Sequence, residues 1–213
     1  KTRVLVHRIA WLVDVEGLSP YSILAVTFTN KAAGEMRGRI EQLITAPAGG
    51  MWVGTFHGLA HRLLRTHWQE AGLEQGFQIL DSQDQQRLVR RVLKSLDLDE
   101  AKWPAKQLQW FINSCKDEGR RPQHIETRND PYLKRQVQVY EAYEALCQRS
   151  GLVDFAELLL RAHELWLQNP DLLLHYRQRF HHILVDEFQD TNTIQYAWLR
   201  LLAGDGARIT VVG

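Results

Sequence analysis

In His182-Ile183-Leu184-Val185-Asp186-Glu187-Phe188-Gln189-Asp190, a short apolar run, Ile183 to Val185, ends abruptly in two adjacent carboxylates. A run of this kind reads as a buried parallel strand, and the carboxyl edge of an open α/β sheet is where ligands bind. There Asp186 can hold a magnesium ion, directly or through a water. Glu187, pointing elsewhere, can polarise a water for attack on a phosphate. Two neighbouring acids with two different tasks are what metal-assisted nucleotide hydrolysis requires. An acidic loop following a core strand is the plainer alternative.

The other end of the chain bears on that choice. Lys1-Thr2-Arg3-Val4-Leu5-Val6-His7-Arg8-Ile9 runs directly into apolar positions at Val4, Ile9, Leu12 and Val13, a pattern that predicts a helix. A Lys-Thr pair opening a helix is how a phosphate-binding loop ends, with the Lys on the terminal phosphates and the Thr hydroxyl on magnesium. The glycines that normally precede the pair are absent, and without them Lys1 and Thr2 could be ordinary terminal residues. We read the sequence as a fragment that begins inside its own phosphate loop.

Between these ends, Leu18-Ser19-Pro20 marks a turn and Ile23 to Phe28 a strand. Asn30 suits the cap of a helix whose inward face is Met36, Ile40, Leu43 and Ile44, with Gly34 and Gly38 weakening its middle. Met51 to Thr55 is a second strand, and Phe56, Leu59, Ala60, Leu63 and Leu64 recur at helical spacing. From about Thr66 to Asn169 the alternation stops and nearly everything reads as helix. Ser82 with Gln85 makes a capping box ahead of Leu88, Val89, Val92, Leu93 and Leu96. Leu133, Val137, Tyr140 and Cys147 form another stripe. Asp154 with Glu157 caps a helix whose stripe is Phe155, Leu158, Leu159, Ala162 and Trp166. A helix after Pro170, the Ile183 strand, a helix with Ile194, Ala197, Trp198, Leu201 and Leu202 inward, and a strand at Arg208 to Val212 complete the chain. Strand and helix alternation at both ends, with a helical stretch between them, predicts an α/β domain interrupted by a helical insertion.

Five stretches in order, Lys1-Thr2-Arg3, Thr27-Phe28-Thr29-Asn30-Lys31-Ala32-Ala33, Gly54-Thr55-Phe56-His57-Gly58, Gly151-Leu152-Val153-Asp154-Phe155 and Val185-Asp186-Glu187-Phe188-Gln189-Asp190, resemble the motifs of the UvrD/Rep/PcrA family of superfamily 1 DNA helicases. The resemblance covers the full length of the chain. It implies a RecA-like P-loop NTPase parallel sheet, residues 1–66 with 170–213, lacking its first strand and Gly-rich loop, and an all-helical insertion over 67–169. The implied cofactors are ATP and Mg2+. Lys1 would neutralise the β and γ phosphates, Thr2 and Asp186 would hold magnesium, and Arg3 would lie against the base. Glu187 would be the catalytic base, with Gln189 near the γ phosphate, linking its presence to domain movement.

By the same resemblance Phe28, Thr29, Asn30, Thr55 and His57 contact single-stranded DNA, Phe28 offering a flat face to a base and His57 a polar contact. On its apolar surroundings alone, Phe28 reads as a core residue, and Asp190 reads as the cap of the helix that follows. The implied activity is that of a fragment of an ATP-dependent helicase that moves 3′ to 5′ on single-stranded DNA and separates duplex in DNA repair or replication. Single-strand/duplex junctions and other repair proteins are the implied partners, and the cytoplasm, at the nucleoid, the implied location. The fragment alone is expected to be inactive. Two alternatives stay open: a module that binds single-stranded DNA without hydrolysis, and the helicase part of a helicase-nuclease.

Composition bounds these readings without deciding among them. The 213 residues are 45% apolar and 24% charged, enough to bury a core, and the formal net charge of +1 announces no partner by itself. Cys115 and Cys147 have no CxxC spacing and read as thiols of a reducing compartment, hence a cytosolic protein. No apolar run approaches the ~18 residues of a membrane span. His57 and His61 stand one helical turn apart, but Gly58 occupies the place where a zinc protease helix has Glu. His181 and His182 adjoin a strand and alternate across it, so they do not readily converge on one ion. Arg87, Arg90, Arg91 and Lys94 fall opposite the apolar stripe of their helix, either a ridge for nucleic-acid phosphates or a solvated face.

Overall fold

The computed structural model describes residues 1–213, which divide into two compact units, 1–63 with 163–213 and 64–162. The first is built on a four-stranded parallel sheet. Its elements begin with α1 (Thr2–Asp14), β1 (Ile23–Thr27), α2 (Asn30–Leu43), β2 (Trp52–Thr55) and α3 (Phe56–Thr66). The second unit contains β3 (Gln78–Ile79), α4 (Ser82–Ser95), α5 (Ala105–Asp117), α6 (Pro131–Ser150) and β4 (Leu152–Val153), and α7 (Phe155–Gln168) leads out of it. The chain then completes the sheet unit with α8 (Pro170–Arg179), β5 (His182–Val185), α9 (Thr193–Ala203) and β6 (Arg208–Val211). The units divide inside α3 and α7, not at the helix ends near 66 and 170 that the sequence pattern suggests, because an unbroken helix can serve two cores.

The sheet order is β2-β1-β5-β6. β1 and β5 lie in the middle and are buried along their whole length, which is why both read as continuous apolar runs. Val26 stands opposite Gly54 on one side and Val185 on the other, and Val185 opposite Val211. All four strands therefore end together, and the residues that follow them emerge along one edge.

One face of the sheet is covered by α1 and α2, which pack Leu5, Val6, Ile9, Leu12, Met36 and Ile40 against Ile23, Ala25, Val53 and Leu184. Val4 is 61% exposed. Counting back from Ile9 by three and four residues gives Val6 and Leu5, so Val4 falls off the stripe it was expected to join. An aromatic cluster joins Trp52 to Tyr176 and Phe180, Tyr176 to Trp166, Trp166 to Trp198, and Trp198 to Phe56.

Three caps sit elsewhere than the sequence suggests. Thr29, not Asn30, caps α2, its hydroxyl accepting from the Ala32 N–H; Asp81, not Ser82, caps α4, accepting from Asp84. Asn192, not Asp190, caps α9 in a reciprocal box with Gln195. In each, the side-chain oxygen meets the N–H three residues on, which fixes the cap one or two residues away from the candidate with similar chemistry.

The helical unit packs α4, α5 and α6 around Leu88, Val89, Val92, Leu93, Leu108, Ile112, Val139, Tyr140 and Tyr143. It is not wholly helical, since β3 and β4 pair in parallel. The stretch Gly151 to Phe155 builds that pairing. Gly151 ends α6 at φ +62°, the left-handed cap that glycine adopts without strain, and a Cβ there would press on the Glu74 carboxylate. Leu152 and Val153 form the strand. Asp154 accepts from the Glu157 N–H at 2.8 Å as the cap of α7, and turning Asp154 inward leaves Phe155 58% exposed, outside the stripe expected to hold it.

Asp154 and Glu157 also close a buried ion cluster. The Lys116 ammonium, 2% exposed, lies 2.7 Å from each carboxylate. Arg121 donates to both oxygens of Glu157, at 2.9 and 2.7 Å, and also pairs with Glu144; Arg161 reaches Glu157 at 3.0 Å, and the Tyr143 hydroxyl donates to Asp154 at 2.7 Å. Burial alone pulls the Lys116 ammonium down, but the two carboxylates hold it above its ordinary value. Burial pushes Glu157 up, and Lys116, Arg121 and Arg161 together hold it well below the usual carboxylate range.

Candidate functional site

The edge where β1, β2, β5 and β6 end carries the residues that the sequence singles out. Thr2, second residue of the chain and first of α1, donates its hydroxyl to Asp186 Oδ2 at 2.6 Å, across 184 positions of sequence. Asp186 is 2% exposed, and its other oxygen accepts from the Glu187 N–H at 3.1 Å. Lys1 lies exposed at the start of the same helix, one residue before Thr2. Glu187 adopts the left-handed conformation at φ +51°, the one non-glycine residue of the sheet unit to do so. That conformation disfavours L residues, and it falls at the point where the chain leaves the sheet. Gln189 donates its amide to the Glu187 carboxylate.

Beside this rim, α1 and α2 enclose a cavity of about 440 Å³ lined by Arg3, Val6, His7, Arg39, Gln42 and Leu43. Leu43, expected on the inward face of α2, is 42% exposed and forms part of this wall. No carboxylate lines the cavity, and Arg3 and Arg39 give it positive character.

Further along the edge, the beginnings of α2 and α3 frame a second cavity of about 320 Å³. Asn30 and Thr55 line it, together with Gly34, Arg37, Gly58 and Arg62. Gly34 leaves the space open, since a Cβ there would meet nothing within 4 Å, whereas a Cβ on Gly58 would press on the Thr55 hydroxyl at 3.1 Å. That hydroxyl accepts from the Gly58 N–H at 3.0 Å and so starts α3. Arg37 donates to the Val53 carbonyl at 2.6 Å, and Arg62 lies 4.6 Å from the centre of the Trp52 ring. Phe28 is half-buried, meeting Phe56 at a ring distance of 5.4 Å and an interplanar angle of 60°, so it is neither a free platform nor a core residue. His57 is half-buried beside the cavity without lining it, and burial holds its imidazole below its ordinary value.

The profile of the UvrD/REP helicase N-terminal domain matches residues 1–213 of this chain. The chain belongs to the UvrD/REP helicase family. DNA helicase II of Escherichia coli K12 is 66% identical over 213 residues, all of this chain and 30% of that protein, and DNA helicase II of Haemophilus influenzae is 56% identical over 217. An ATP-dependent DNA helicase PcrA of Staphylococcus aureus is 38% identical over 214 residues. The chain thus spans about 30% of the length of these curated relatives. Its parallel sheet with helical insertions is the RecA-like P-loop NTPase architecture of UvrD-family helicases.

Within this UvrD/REP domain, sequence reasoning passed over Arg37, Arg39 and Arg62. Arg62 stands one helical turn after Gly58, a spacing that could have marked it, whereas Arg39 shares a cavity with Arg3 only through the packing of α1 on α2. The basic ridge of α4 is partly neutralised: Arg87 pairs with Asp84 at 2.6 Å and Arg90 with Glu100 at 2.9 Å. No three His, Cys, Asp or Glu side chains converge as a metal cage, and no helix is long and apolar enough to cross a membrane.

Proposed function

We propose that this chain is the nucleotide-holding part of an ATP-dependent DNA helicase that uses magnesium-assisted ATP hydrolysis to move along single-stranded DNA and separate duplex. The observation that carries the proposal is the 2.6 Å contact between Thr2 and Asp186. A hydroxyl and a carboxylate so placed are hard oxygen donors, the set that suits Mg2+. That ion is commonly held by one or two protein oxygens together with substrate phosphates and water, not by an all-protein cage. Magnesium, when bound, neutralises charge on the phosphate oxygens.

The chain's own residues supply the rest. Lys1 neutralises the terminal phosphates, and Arg3 flanks the base beside the α1/α2 cavity. Glu187, at the left-handed turn where the chain leaves the sheet, orients the attacking water and accepts its proton. Gln189 holds the Glu187 carboxylate and is a positioning residue. On the neighbouring stretch of the edge, Asn30, Thr55 and the cavity they line accept the strand, with Thr29, His57 and the exposed part of Phe28 beside them. Contacts of this kind do not read sequence, as a motor that steps along any DNA requires.

In the intact protein, Glu187→Gln is expected to cut ATP hydrolysis by roughly 10²–10⁴-fold, the usual effect of a lost general base, while ATP binding stays unchanged. Near-normal turnover would remove Glu187 from this role and favour a module that binds DNA without hydrolysis.

A further inference from the structure

The Glu187 side chain is held by a single amide, that of Gln189, which donates to the Glu187 carboxylate. A carboxylate can only accept, so the amide nitrogen faces Glu187 and the amide oxygen faces the opposite way. On that opposite side lies Gly213, two residues past the end of β6. A Cβ on Gly213 would overlap Gln189 Oε1, and it would stand 3.3 Å from Gln189 Cδ and 3.5 Å from the Gln189 backbone nitrogen. The amide therefore fills the space that a side chain at position 213 would need.

Both backbones are fixed around this contact. The Val212 N–H donates to the Val185 carbonyl at 3.0 Å, and the Val212 carbonyl accepts from the Phe188 N–H at 2.9 Å. The end of β6 is thus joined to the segment leaving β5 on either side of Asp186 and Glu187. That segment is closed in turn by the Asp190 N–H on the Glu187 carbonyl at 2.9 Å and by the Thr191 hydroxyl on the Phe188 carbonyl at 2.8 Å. Only the Gln189 side chain is left to yield. Gly151 and Gly204 adopt positive φ, but Gly213 does not, so its backbone suits any L residue. What position 213 cannot accept is volume, the close approach for which glycine is used.

We infer that Gly213 is a positioning residue for hydrolysis: by carrying no side chain it seats the Gln189 amide on Glu187, so that one carboxylate oxygen is held and the other is left for the attacking water. The inference rests on the reading of Glu187 as the base, and it adds the residue that sets the geometry of that base from another strand. The test compares kcat and KM for ATP in the intact protein, with single-stranded DNA present, for Gly213→Ala, Gln189→Ala and the double variant. Binding of a fluorescent ATP analogue is read alongside. Gly213→Ala is expected to lower kcat roughly 10–100-fold, the cost of a misplaced catalytic group, with KM and analogue binding unchanged, as for an interaction that matters only in the reacting complex. Gln189→Ala, which leaves position 213 untouched, should fall to the same level. The double variant should then lie within about twofold of Gln189→Ala, because a methyl at position 213 has no amide left to displace. A full additional loss in the double variant would overturn the inference, since a methyl that harmed only the fold would act whether or not the amide is there. Parent-like kcat in Gly213→Ala would overturn it too. Glu187→Gln, measured in parallel, separates the two readings: turnover lost there but intact in Gly213→Ala removes this inference alone, and turnover intact in both removes it together with the role of Glu187.

Discussion

Two pairs of acids in this molecule follow short strands, and they are treated in opposite ways. Asp154 and Glu157 follow β4 and are closed in: Glu157 receives Lys116, Arg121 and Arg161, and Asp154 receives Lys116, Tyr143 and a backbone N–H. Asp186 and Glu187 follow β5 and are left with capacity to spare. Asp186 has one hydroxyl and its neighbour's N–H, and half-buried Glu187 has only the Gln189 amide. A carboxylate whose lone pairs are all taken by fixed protein donors stabilises a fold. One that is held but not saturated can take a metal ion or a proton. The backbone marks the same place, because the sheet unit keeps its one left-handed non-glycine residue at Glu187.

Exchanging the treatment of the two glutamates breaks or confirms this contrast. Glu157→Gln leaves Lys116 and Arg121 buried and short of charge, and removing one partner of a buried pair costs ~3–5 kcal/mol. Glu187→Gln should move stability by no more than ~0.5 kcal/mol, as an open site would. Hydrogen exchange of the α5 to α7 amides in urea measures the first, and thermal unfolding of the intact protein the second. Equal and small effects would show that the buried cluster is not what holds the helical unit.

Acid titration sharpens the same point. The folded chain holds Glu157 below its ordinary value, so its contribution is present above the unfolded carboxylate value of ~4.3 and is lost as pH falls through the lower folded value. Lys116 is held above its ordinary value. Its contribution is complete below ~10.4 and is lost only as pH rises through the folded value. Glu144 works in the opposite sense, because burial raises it despite Arg121. The informative quantity is therefore the stability gap between the parent chain and Glu157→Gln. That gap should be flat from about pH 6 to 9 and narrow as pH drops below ~4. A gap that stays constant down to pH 3 would mean that folding does not hold the Glu157 carboxyl below its ordinary value, and one that shrinks as pH rises above ~4.3 would mean that Glu157 is protonated in the folded chain.

The two regions also differ in how far the sequence reveals them. The rim was legible because β1 and β5 are short apolar runs with polar residues immediately after them, and because the start of α1 has a recognisable chemistry. The saturated cluster was not. Lys116, Arg121, Glu144, Asp154, Glu157 and Arg161 are spread over α5, α6, α7 and their connections, and a single charge on a helix reads as surface. β3 and β4, two residues each, are too short for an alternating pattern to show. Cap positions slipped because Thr29 and Asn30, or Asp190 and Asn192, offer the same chemistry within two residues, and only backbone geometry selects one. Arg39 gained its place from the packing of α1 on α2, which single-helix periodicity does not report.

The smallest expected effect tests the segment that carries Glu187 and Gln189. It is fixed at one end by β5 and at the other by the cap of α9, where Asn192 accepts from the Gln195 N–H at 2.9 Å and its own N–H donates to the Gln195 side chain at 3.0 Å. Asp190 lies exposed between them, and its side chain accepts from no N–H. Asn192→Ala should therefore cost ~1 kcal/mol, the usual value of a lost cap, whereas Asp190→Ala should stay within ~0.5 kcal/mol. Because the cap anchors one end of the segment proposed to carry hydrolysis, Asn192→Ala should also lower hydrolysis a few-fold with ATP affinity nearly unchanged. Thermal unfolding of both variants decides the assignment. If Asp190→Ala were the more damaging, the acid would be anchoring the segment itself, and Asp190 would move from the open pair's surroundings to its support.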